Sequence, residues 1–127
     1  MTMARMAFQW LVWLMVIGVG IQFFLAGLGV FGGESIEAHR QWGFAVLHII
    51  PILMFVAAIV GKMGRMYIGM TVVLFLLVFF QVLWADPEFD PEVLRSLHVF
   101  NAFLIAGLTQ HLAMRVGQPF GAMKSAT

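Results

Sequence analysis

The sequence predicts an all-α protein, an integral membrane up-down-up-down four-helix bundle forming one domain over residues 1–127. Three observations predict it. The chain of 127 residues is 62% hydrophobic and 10% charged, with a mean hydropathy of +0.98, and a domain this small cannot hide so much apolar surface from water. Its apolar residues fall into four runs of about 20, the length that crosses a hydrocarbon core as a helix. The breaks between the runs are short and rich in turn residues, which makes neighbouring helices antiparallel. Helices also satisfy their own backbone groups, which lipid cannot do.

The first helix is predicted over about 8–30. Arg5 before an apolar run is a feature of signal peptides, but the run from Ala7 to Phe31 is long for a cleaved segment and no small-x-small site comes after it; a retained helix is expected. Gly32-Gly33-Glu34-Ser35 then breaks the pattern, with Ser35 placed to cap the second helix. That second helix is predicted over about 41–60. Pro51 removes a backbone bond to Leu47 and should kink it. After Gly61-Lys62-Met63-Gly64-Arg65 comes a third helix over about 66–85. After Asp86-Pro87-Glu88-Phe89-Asp90-Pro91, with a cap at Asp90-Pro91, comes a fourth over about 93–115. Trp10, Trp13, Trp42 and Trp84 fall near span ends and read as interfacial anchors.

Charge orients the bundle. Arg5, Lys62, Arg65, Arg115 and Lys124 fall at one side, whereas Glu34, Glu37, Asp86, Glu88, Asp90 and Glu92 fall at the other with Arg40 and Arg95. The positive-inside rule makes the first side cytoplasmic, with both termini there, in what is expected to be a bacterial inner membrane. The lipid bilayer is then the main partner. The formal net charge is +1 with no basic patch, so nucleic acid is not expected. The absence of cysteine excludes disulfides, thiolate metal sites and covalently attached haem.

Polar groups are costly inside a bilayer, so those within the runs are the candidate functional residues. Gln22, His39, His48, Gln81, His98 and Asn101 all fall in the outer half, one or more from every helix; His111 falls near the cytoplasmic end. On the second helix, His39 and His48 are about half a turn out of phase, so only one of them can face a given site. Arg95, His98 and Asn101 share a stripe on the fourth helix. Gly43 shares the stripe of His39 and would leave room beside the edge of a planar macrocycle, or simply let helices approach. No strict internal repeat is expected, only a loose echo between His39-Arg40 and Arg95-x-x-His98.

Imidazoles on facing helices suit haem iron, copper or zinc. Haem b is favoured, because the surroundings are apolar, no span contains a carboxylate for a di-iron site, and the second and fourth helices can lie on a diagonal. Gln22, Gln81 and Asn101 would then orient the imidazoles, and Arg40 and Arg95 at the rim would meet the propionates or snorkel beside the acidic loops. Such a site would exchange electrons with a redox partner or quinone.

Glu37-Ala38-His39-Arg40 and Arg95-Ser96-Leu97-His98 resemble the ligand positions in one four-helix half of the haem A synthase family. The resemblance implies a bis-histidine site formed by His39 and His98, with His48 the reserve partner. It also implies haem holding rather than haem oxidation, because Ile36 stands where the catalytic half of that family has a glutamate. Gln22-Phe23-Phe24-Leu25-Ala26-Gly27-Leu28-Gly29, with His39, Gly43, Gln81, His98 and Asn101, is also similar to a family of small bacterial four-helix membrane proteins of unassigned function. The expected function is thus a small b-type cytochrome, an electron carrier or haem-handling protein more than an enzyme. Two readings stand beside it: a cofactor-free accessory subunit of a larger membrane complex, whose polar layer joins helices, and a small transporter acting as a homo-oligomer.

Overall fold

A computed structural model describes residues 2–85 and 92–117. Among these, four helices are long and apolar enough to cross a membrane. α1 is Met3–Phe31 and α2 is Glu37–Val60. α3 is Arg65–Ala85 and α4 is Glu92–Val116. Each packs on its neighbours in a ring, α1 on α2, α2 on α3, α3 on α4 and α4 on α1, so that α2 and α4 face one another on a diagonal. The bundle, and the connections at 32–36 and 61–64, are those the apolar runs predict. The Asp90-Pro91 cap and the side chain of Arg95 lie outside the described residues.

Turn chemistry sets the ends. The Thr2 hydroxyl accepts from Arg5 N at the start of α1. Ser35 Oγ accepts from Glu37 N at 3.1 Å, so α2 begins four residues before the expected start. At the other end of α2, the Arg5 guanidinium donates to Gly61 O at 3.0 Å and to Lys62 O. There a cation meets the negative pole of a helix C-terminus. Gln9 Nε2 donates to Val116 O, and Trp13 Nε1 to Gly117 O. The start of α1 and the end of α4 therefore lie at the same end of the bundle, with the basic 61–65 turn.

The core is a single apolar seam. Phe8, Val12, Met15 and Val19 on α1 meet Leu47, Met54 and Ala58 on α2, Leu74 and Val78 on α3, and Ile105 and Leu112 on α4, all buried. Large side chains such as Leu14, Ile17, Phe55 and Val73 point outward, as a bilayer solvent permits.

The irregularity in α2 is not a simple kink at Pro51. Glu37–Trp42 is α-helical, Gly43–Leu47 is a π-turn, and His48–Val60 is α-helical again straight through Pro51. In an unbroken α-helix the proline ring would press on the carbonyl of Leu47. One residue inserted immediately upstream widens the turn and relieves that clash.

Candidate functional site

Gln22, His39, Gln81, His98 and Asn101 form one layer in the half of the bundle away from Arg5 and the 61–65 turn. His39 donates from Nδ1 to Gln22 O at 3.1 Å. His98 donates from Nδ1 to Gln81 O at 2.9 Å. A carbonyl oxygen can only accept, so these bonds put the proton on Nδ1 of each ring and leave the lone pair on Nε2. The two rings face each other across the diagonal with centroids 6.3 Å apart and planes at 61°. Two imidazole nitrogens each about 2 Å from one shared ion would place their ring centroids roughly 6 Å apart. The ring spacing alone is compatible with both imidazoles binding one shared ion.

Amides complete the layer. Gln22 Nε2 lies 3.2 Å from His39 Nε2 and donates to it in this tautomer. Gln81 Nε2 donates to His98 O, and Asn101 Nδ2 donates to both Leu77 O and Gln81 Oε1. Trp42 Nε1 donates to Gly18 O at 2.9 Å. Gln22 Oε1 and Asn101 Oδ1 are buried with no partner among the described residues. From sequence Trp42 reads only as an interfacial anchor; its indole proves to be part of the layer.

These bonds repeat in strict register, where the sequence suggests only a loose echo. Gln22 and Gln81, His39 and His98, Trp42 and Asn101, and Gly18 and Leu77 are each 59 positions apart. The histidine bonds both span 17 positions, and the bonds of Trp42 and Asn101 both span 24. The same offset pairs the buried positions Val12 with Thr71, Met15 with Leu74 and Val19 with Val78. Beyond the π-turn the offset falls to 58, pairing Leu47 with Ile105, Pro51 with Thr109 and Met54 with Leu112, all buried. One extra residue in α2 accounts for the change. The bundle is two equivalent hairpins related by an axis along the membrane normal, and His39 and His98 meet across that axis.

Three further residues named from the sequence lie as follows. Gly43 does open space, but Gln22 fills it: a Cβ on Gly43 would lie 2.7 Å from Gln22 Nε2. His48 packs at a tilt against the exposed Phe44, with centroids 5.5 Å apart and planes at 43°, and donates from Nδ1 to Gly43 O. It covers a carbonyl of the π-turn on the outer face of α2, so His39 is the histidine that meets His98. Arg40 is exposed and reaches Glu37 at 3.9 Å, an ion pair of little energetic weight in water.

Besides Gln9, Thr71 and Thr109, sequence reasoning missed a further polar residue, Gln110. It is exposed on α4 and lines a cavity of about 220 Å³ between α1 and α4 with Val16, Gly20 and Ala106. The signal is present as an amide in an apolar run, but its neighbour His111 reads as a residue of the membrane edge. Among the described residues no group of three or more His, Cys, Asp or Glu is arranged to hold a metal ion.

No curated protein and no solved structure is significantly similar to this chain. One family matches residues 22–87, from the glutamine of the first hairpin through α2 and α3. That span covers more than half of the chain and includes Gln22, His39, Gly43 and Gln81. On that match, the chain belongs to a family of unknown function, DUF6220.

Proposed function

We propose that this protein is a small membrane cytochrome holding one b-type haem between His39 and His98, for electron transfer or haem handling. The same reading places it in a bacterial inner membrane with both termini cytoplasmic. The observation that carries it is the pair of Nδ1-protonated imidazoles, one from each hairpin, with ring centroids 6.3 Å apart. Backbone carbonyls that fix a tautomer also orient metal-ligating imidazoles. When bound, such a group would supply reversible one-electron chemistry, tuned by the His39 and His98 imidazoles that hold it. Gln22 would release His39 Nε2, and Gln81 and Asn101 would hold His98 and its helix in place. The apolar walls of the bundle would exclude water.

The cofactor-free reading also has an observation in its favour, because every amide of the layer already joins helices.

The visible spectrum of protein purified in mild detergent, oxidised and reduced, separates the two. A Soret band that is lost or shifted in both His39→Ala and His98→Ala, and retained in His48→Ala, is the expected result. A colourless preparation from haem-replete cells would sink the cytochrome reading.

A further inference from the structure

The cavity between α1 and α4 is separate from the histidine layer. Gln110 sits level with Val16, halfway along α1, because both line it. The side chain is exposed, and it has no hydrogen-bond partner among the described residues. Six residues before the end of α4 the amide lies within the apolar span, where an unpaired amide is costly. Gly20 borders the same space, and a Cβ built there meets nothing within 4 Å.

Size, charge and hydrogen bonding restrict the occupant. The space is a groove open along one side, and its volume of about 220 Å³ takes a single ring. No charged residue lines it, so the occupant is neutral. A plain acyl chain would fill the space and leave the amide unpaired. The amide offers both a donor and an acceptor, which suits a carbonyl oxygen and equally the hydroxyl it becomes on reduction. The mouth faces lipid. We propose that this cavity binds the ring of a lipid-soluble quinone or quinol, held by Gln110. The site stands whether or not haem is bound.

The test uses the full chain in phosphatidylcholine nanodiscs, where acyl chains are already in excess, titrated with decylubiquinone. The Trp42 indole is bonded to Gly18 O, next to Val19 of the cavity wall, so tryptophan fluorescence reports occupancy. Saturable quenching is expected, with affinity about tenfold weaker in Gln110→Leu and lost in Gly20→Leu, which fills the cavity. Helicity and melting of both variants are measured alongside, and Ala106→Phe replaces Gly20→Leu if that variant fails to fold. Quenching that never saturates, or that is the same in all variants, overturns the proposal. So does a Gln110→Leu variant that binds decylubiquinone normally but changes oligomeric state, which would make the amide a contact between copies.

Discussion

Gly43 and Gly20 are both helical glycines in an apolar bundle, yet their surroundings predict opposite responses to a methyl group. At Gly20 the methyl enters open space, and alanine should be neutral or gain up to about 1 kcal/mol of helix propensity. At Gly43 it would press on the Gln22 amide and break the bond to His39. Gly43→Ala should therefore be less stable than Gly20→Ala by about 1 kcal/mol or more, read from thermal unfolding in detergent. Because the cause is one contact, the penalty should vanish when Gly43→Ala is made in a Gln22→Ala background. A penalty that persists there would place the strain in the π-turn backbone instead. Sequence alone points to a small residue at this position, but not to what fills the space. That depends on a glutamine 21 positions away on another helix.

The element that departs most from expectation is α2, and comparison with α4 explains it. Along α4 the inward residues His98, Asn101, Ile105, Thr109 and Leu112 keep regular helical spacing; along α2 their counterparts are His39, Trp42, Leu47, Pro51 and Met54. The one difference is an extra residue between Trp42 and Leu47, housed in the π-turn. Deleting the exposed Ala45 should turn this stretch into plain α-helix with every inward residue still facing in. It would also return Pro51 to its clash with Leu47 O, at a cost of about 3 kcal/mol. The deletion alone should melt well below the parent, and the deletion combined with Pro51→Thr, the residue at the matching position of α4, should recover most of the loss. If the combined variant is no better than the deletion, the π-turn does not exist to accommodate the proline. Helix positions were legible because apolar runs and turn residues are local signals. The repeat was not, because Trp42 and Asn101 make the same bond with different chemistry, and the extra residue shifts the register midway.

At the scale of the whole molecule, charge sorting and hydrogen bonds agree on which groups share an end. Arg5 bonds to Gly61 O and Lys62 O, and Gln9 and Trp13 hold the end of α4 nearby, while Glu34 and Glu37 lie at the far side. Most of the polar layer was legible because Gln22, Gln81, His98 and Asn101 each interrupt an apolar run. Gln110 was not, because its depth depends on how far α4 is drawn in: Val116 lies level with Gln9 rather than with Arg5. Which end faces the cytoplasm rests on the positive-inside rule, and the chain offers a direct test. It contains no cysteine, so a single introduced thiol has no background. Glu34→Cys, in the turn between α1 and α2, should react with a membrane-impermeant maleimide on intact cells. Gly64→Cys, where a side chain meets nothing within 4 Å, should react only after lysis. The reverse pattern would invert the protein, moving the histidine layer to the cytoplasmic half of the bilayer and any electron exchange through it to cytoplasmic partners.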